Sequence, residues 1–395
     1  MQKIYLFIAF FCLSLANGLA QTENQKEFDT FIQDLKGEFI YLEEKKDLID
    51  CIAQTYRPYV DTVSSSYFKV LFYEQVMNEF YDSHMHLNSN TGESYRLSSP
   101  LYAALQGEKF IVQNVFASQL DYRFEDNILG AEILSFNGKA FADAVDDFPT
   151  LCHNKKDPAI REWLANKVLS GKLNEARTLG LKLVNGKQVS LDIDALKEKS
   201  HTALLEATIQ DKIGIIRINN SLGNSDLVAA FNEALDGMMD TRALILDLRN
   251  TPGGGNTGVA EPIMGRFINA RAGYQVCENA QERYTRYVMP TGQTYTRPVY
   301  VLAGRWTGSM GEGMTIGLDG MNRATIVGTE LERLAGGMKT VNLANSNFGF
   351  RVSFEKMYHL DGRLRETFVP KEYVEQKTVT EDEFLRYALD LISRK

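Results

Sequence analysis

The sequence predicts an α/β protein whose second half is a mostly parallel sheet covered by helices on both faces, and three observations lead there. From Lys212 onward, runs that are apolar almost throughout, such as Ala243-Leu-Ile-Leu-Asp-Leu248, alternate with segments of helical periodicity. Two glycine-rich stretches, TPGGG at 251–255 and GRWTGSMGEG at 304–313, each follow such a run, where the carboxyl ends of parallel strands form ligand sites. The 395 residues suffice for two or three domains, and the texture before Lys212 differs, helical first and then made of short strands.

The chain opens MQKIYLFIAFFCLSLANGLAQ: one lysine, an apolar stretch from Ile4 to about Ala16, then Gly18 and Ala20 where a signal peptidase requires small residues. Residues 1–20 therefore read as an export signal, and a periplasmic or secreted protein is expected. The apolar run falls short of the roughly 20 residues that span a bilayer. No lipobox surrounds Cys12 and no later segment is long and apolar enough, so no stable membrane anchor is expected. Three cysteines remain after cleavage, Cys51, Cys152 and Cys277, without a CxxC pair to suggest zinc or a redox couple. One disulfide with a free thiol and three unpaired thiols both fit that spacing.

Residues 21–95 read as a helical subdomain. Phe28, Phe31, Ile32, Leu35, Phe39 and Leu42 recur at three- and four-residue intervals and predict an amphipathic helix over about 26–53; Val70, Leu71, Val76, Met77 and Phe80 predict a second over about 68–80. Residues 96–205 change to strand-like pieces, among them 109–113, 131–136 and 189–193, with Asn137-Gly138 and Asn185-Gly186 as tight turns and a helix over 160–169. The phrase Gly130-Ala-Glu-Ile-Leu-Ser-Phe-Asn-Gly138 resembles the G-x-x-I-L-x-x-N-G segment of PDZ-like domains. Residues 206–395 carry strands at 213–218, 243–248, 299–303 and 324–327 and helices at 227–238, 259–268 and 311–318.

A net charge of -8 speaks against nucleic acid as a partner, since phosphate binding needs a basic surface. The first glycine cluster lets the backbone turn several N–H groups toward one spot, which suits a phosphate or a developing oxyanion, and it lacks the closing Lys-Ser/Thr of a Walker A loop. In the second, Ser309 falls at the start of a helix, where free N–H groups favour an anion; an N-cap serine is the plainer reading of such a residue taken alone. A nucleophilic serine needs a base, and the chain has five histidines. His84 and His86 lie together in YDSHMHL, without a nearby third ligand for a metal. No metal and no cofactor are expected.

Taken together, ALILDLRNTPGGG followed some fifty residues on by PVYVLAGRWTGSMGEG resembles the C-terminal processing, tail-specific and tricorn-core serine peptidases of family S41. The resemblance implies a crotonase-like (ClpP-like) catalytic core, here 206–395, behind an N-terminal helical subdomain (21–95) and a PDZ-like β-rich module (96–205). It implies hydrolysis of peptide or protein substrates. Carried over by position, Ser309 is the nucleophile, and the N–H groups of Met310 and of Gly253 or Gly254 form the oxyanion hole. Tail-specific members use a lysine in a Gly-Lys-Gly turn; here that turn reads ERLAGGM, with Lys339 shifted. The tricorn-like branch places a Ser-His pair ahead of the PDZ-like module, which points to His84 as general base. Ser83 and Glu366 would orient it, with Asp361 as the runner-up acid. A catalytically inactive S41-fold protein that binds a peptide or hydrophobic ligand is the alternative. The sequence specifies no oligomeric state.

Overall fold

The computed structural model describes residues 21–394, so the export signal expected over 1–20 lies outside the described residues. Helices α1 (Glu23–Glu38) and α2 (Leu42–Tyr56) stand where periodicity predicts a single helix. The break falls at 39–41 because the Ile40 N–H leaves the helical ladder and donates to the Ser353 carbonyl at 2.8 Å. α3 (Ser66–Asn78) is N-capped by Ser65, whose Oγ accepts from the Phe68 N–H. The buried faces of these helices carry Phe28, Phe31 and Tyr73, each worth roughly 1.5–3 kcal/mol of burial.

The middle of the chain forms an antiparallel sheet from β1 (Leu101–Gln106), β2 (Lys109–Val115), β3 (Glu132–Phe136), β4 (Lys139–Ala140), β5 (Thr178–Lys182) and β6 (Gln188–Asp192). Its order is β1-β2-β3-β5-β6, with β4 paired to β3 through the Asn137-Gly138 turn, where φ is 51° and 81°. Helices α4 (Phe141–Asp146) and α5 (Pro158–Ser170) cover it. α5 also seals the sheet's edge. Asn166 accepts from the Ala103 N–H and donates to its carbonyl, both at 2.8 Å, and Glu162 accepts from the Leu105 N–H at 3.1 Å. Three of the backbone groups that β1 would offer to an added strand are thereby used.

The remainder is built on β7 (Leu205–Gln210), β8 (Ile213–Ile218), α6 (Asp226–Asp236), β9 (Ala243–Asp247), α7 (Thr257–Gly265), β10 (Ala272–Asn279), β11 (Arg283–Val288), β12 (Val299–Ala303), α8 (Met310–Gly320), β13 (Ala324–Gly328), β14 (Gly337–Asn342), β15 (Gly349–Tyr358), β16 (Glu372–Tyr373) and α9 (Glu383–Ser393). One sheet runs β16-β13-β12-β9-β8-β7, parallel except for β7. Every residue of β9 and β12 is buried. Phe231, Ile263 and Met314 lie in the core on one face, Tyr300, Phe384 and Ala388 in that on the other. This is why those strands read as unbroken apolar runs. An antiparallel sheet β11-β10-β15-β14, not anticipated from the sequence, receives the N-terminal helices, with the Phe31 and Phe350 rings 4.8 Å apart.

Cys51 and Cys152 form a disulfide that joins α2 to the loop ahead of α5, with Cα atoms 5.8 Å apart; Cys277 is free and buried. No described helix is long and apolar enough to cross a membrane.

Candidate active site

β9 and β12 are parallel neighbours, with Leu302 opposite Asp247, so the two glycine clusters that follow them leave the sheet side by side. They are stitched together: the Thr251 N–H donates to the Trp306 carbonyl at 3.1 Å and the Gly308 N–H to the Thr251 carbonyl at 3.2 Å. Ser309 follows at φ 49°, ψ -108°, a conformation that L-residues adopt at a cost of about 1–3 kcal/mol and only when their surroundings impose it.

The imposing group is Glu312. Its side chain is fully buried, and its carboxylate accepts from the Ser309 N–H and from the Arg333 N–H, each at 2.9 Å. Burial pushes its carboxyl up to about 7, against the opposing pull of Arg365, whose guanidinium stands 3.8 Å away. Arg365 in turn donates to the carbonyls of Leu334 (2.8 Å), Gly336 (2.7 Å) and Ser309 (3.4 Å). The nucleophile candidate thus hangs from the loop between β13 and β14.

Glycine at 254 is a steric requirement. Its φ is 61°, and a Cβ there would fall 2.5 Å from Ser309 Cβ and 3.0 Å from its Oγ. Of the oxyanion donors expected, the Met310 N–H, at the first residue of α8, has no acceptor among the described residues. The other two are engaged: the Gly253 N–H donates to Asn220 Oδ1 at 2.7 Å and the Gly254 N–H to the Thr251 carbonyl at 3.0 Å. A two-donor hole is therefore not assembled in this arrangement.

His84 is buried and its Nδ1 lies 3.1 Å from the Ala335 carbonyl. A carbonyl only accepts, so the proton sits on Nδ1 and Nε2 keeps its lone pair. Burial, aided by Arg365, lowers the imidazole to about 3 and keeps it neutral. The His84 N–H donates to Asp82 Oδ1 at 2.9 Å, and burial pushes the Asp82 carboxyl up to about 7. Among the described residues no hydrogen bond joins the Ser309 hydroxyl to the His84 ring.

The orienting contacts differ from expectation. Glu366 accepts from the Tyr41 hydroxyl at 2.8 Å, not from His84, whose Nδ1–H is already taken by Ala335. Ser83 offers its carbonyl to His86 Nδ1 at 3.3 Å. Asp361 belongs to a separate group with His359 and Arg363. Lys339 pairs with Glu38 at the end of α1. Asp82, Arg365, Tyr41 and Glu332 were missed, for no spacing in the sequence marks them; only the position of Arg365 beside Glu366 was a hint.

The geometry is that of an α/β protein with a serine hydroxyl on a strained turn beyond a parallel strand, crowded by glycines and opening a helix. Residues 212–371 match the model of peptidase family S41. No curated protein matches it. Among solved structures it is similar to a photosystem II D1 C-terminal processing protease (14% identity, TM-score 0.57, over 90% of this chain and 94% of that one). It is similar also to mature CPAF complexed with lactacystin (13%, 0.63, 94% and 97%) and to a putative peptidase from Parabacteroides merdae (13%, 0.55, 94% and 97%). At these identities the likeness establishes the fold.

Proposed function

We propose that the protein is an exported serine peptidase with Ser309 as nucleophile and His84 as general base. The observation that supports it most is a shared support. Ser309, through Glu312 and Arg365, and His84, through Ala335, are both fastened to the 333–336 segment. His84 Nε2 takes the Ser309 proton as Oγ adds to the peptide carbonyl, and the Met310 N–H donates to the oxyanion. The imidazolium then returns the proton to the leaving amine, and water releases the acyl group by the same route. Substrate must draw the ring and hydroxyl together and free a second donor in the glycine turn, a tightening that unliganded sites commonly undergo.

The core is read as crotonase-like and the 96–205 region as PDZ-like. Recruitment of a chain terminus by strand addition to β1 is disfavoured, because Asn166 and Glu162 already use three of that edge's backbone groups. The Cys51–Cys152 disulfide supports export to an oxidising periplasmic or extracellular compartment. Ser309→Ala and His84→Ala should each lower hydrolysis of an unfolded protein substrate by about 10³-fold or more with unchanged circular dichroism. Parental turnover in either variant sinks the assignment.

The missing bond between Ser309 and His84 favours one other reading, a non-catalytic S41-fold protein that holds a peptide or hydrophobic ligand. Wild-type protein that binds peptides and cleaves none would establish it.

A further inference from the structure

A cavity of about 430 Å³ opens where the helical subdomain, α5 and the 332–335 segment meet, and Glu332, Ala335 and Trp306 place it beside the serine turn. Eleven buried side-chain polar atoms among the described residues lack a hydrogen-bond partner. Six of them belong to residues lining this cavity: Tyr81 Oη, Trp163 Nε1, Arg305 Nε and Nη1, Glu332 Oε2 and Glu366 Oε2. Polar groups are seldom left unpaired in a finished core, so their concentration marks a polar cavity whose bonding water or a polar ligand completes.

The sign of the unmet need at the serine end is set by Glu332. Its Oε2 comes so near Gly308, the residue before Ser309, that a Cβ there would lie 2.1 Å from it. Burial foremost, and after it the carboxyl groups of Glu312 and Asp82, push its carboxyl well above the usual range. Of the cations lining the cavity, Lys45, Lys167, Arg305 and Arg333, none forms an ion pair with Glu332 among the described residues. Arg305 stands 3.4 Å from Glu330 and lies 4.0 Å over the Tyr102 ring. Arg365 is held by Glu312 and three carbonyls. Glu332 thus presents a buried oxygen without a partner, next to the nucleophile candidate, in a cavity walled by Tyr41, Tyr102 and Trp306. Carboxylate and aromatic faces together suit an ammonium or guanidinium group.

Resting on the peptidase reading above, we propose that this cavity receives the cationic side chain of the residue whose carbonyl Ser309 attacks, lysine or arginine, and that the Glu332 carboxylate pairs with it. Glu332 then determines specificity, and the preferred substrates are lysine- or arginine-containing chains.

Matched peptides differing only in the residue before the scissile bond test this on the full mature chain. Arginine and lysine should exceed leucine in kcat/KM by about tenfold or more, and Glu332→Gln should bring that ratio to within about twofold of unity. The second measurement needs neither turnover nor that variant's folding: calorimetric affinity of the Ser309→Ala protein for the arginine and leucine peptides, with the same preference expected. Equal or better performance of leucine in the wild-type cleavage assay overturns the inference and leaves hydrolysis standing, as does an undiminished arginine preference in folded Glu332→Gln. Arginine-selective binding without any wild-type cleavage keeps the cationic pocket and overturns the peptidase reading. Binding by Ser309→Ala without preference overturns the pocket.

Discussion

Replacing Glu312 by glutamine tests the clamp beneath the nucleophile. The carboxylate accepts two backbone N–H bonds at 2.9 Å, from Ser309 and Arg333, in a place closed to solvent. Glutamine keeps one acceptor oxygen and turns an NH2 toward the other N–H, leaving a buried donor unpaired at about 1–3 kcal/mol. Arg365 opposes the effect of burial without cancelling it, since the carboxyl is still raised to about 7, so losing the charge itself adds no cost. About 1–3 kcal/mol is expected in urea unfolding. The displaced Ser309 backbone should lower kcat by about 10²-fold. The pH course supplies a second check. The folded-state carboxyl is raised above its unfolded value, so its stabilising contribution is complete below the unfolded carboxylate range and is lost as pH rises through about 7. The gap between wild type and variant should therefore narrow from pH 5 to pH 8. A gap below about 0.5 kcal/mol at every pH, with kcat within twofold of wild type, would refute the clamp.

Gly254→Ala, forced to φ 61° with its Cβ 3.0 Å from Ser309 Oγ, should lower turnover by about 10²-fold or more while costing only about 1–3 kcal/mol of stability; parental turnover would show the serine pocket to be roomier than described. Cys51→Ser opens a crosslink spanning 101 positions and should cost about 2–5 kcal/mol, the loss that a reductant should reproduce in the wild type; an unchanged urea midpoint would speak against the disulfide. Asp247→Asn removes the buried partner of Arg217 and Arg249, both bonded to it within 2.9 Å, at an expected cost of about 3–5 kcal/mol. The two arginines overcome burial and hold Asp247 well below the usual carboxylate range, so its contribution is present above the unfolded value and disappears as pH falls. Acid unfolding of the wild type should show that loss and the variant should not.

Much of the α/β core was legible because burial on both faces forces a strand to be apolar throughout, as at 243–247 and 299–303. The sheet of β10, β11, β14 and β15 was not: its strands mix exposed Arg283 and Tyr287 with buried Tyr274 and Phe350, and no continuous apolar run announces them. Periodicity joined α1 to α2 because Phe39 and Leu42 continue the apolar stripe; what parts them is a hydrogen bond to Ser353, a partner distant in sequence. At the site, glycine spacing exposed the Ser309 turn and the Gly254 requirement. The Ala335 carbonyl that fixes His84, and the Arg365 side chain that gathers three carbonyls, act through contacts that pair chain segments far apart. Residue types and local spacing carry no record of such pairings.

An activated serine betrays itself chemically. Treating the native chain with a fluorophosphonate and mapping the adduct by mass spectrometry asks directly whether Ser309 is a nucleophile. Modification of Ser309 in the folded protein, abolished in urea and in His84→Ala, is the expected result. An unmodified Ser309 in a folded preparation that cleaves peptides would contradict the account.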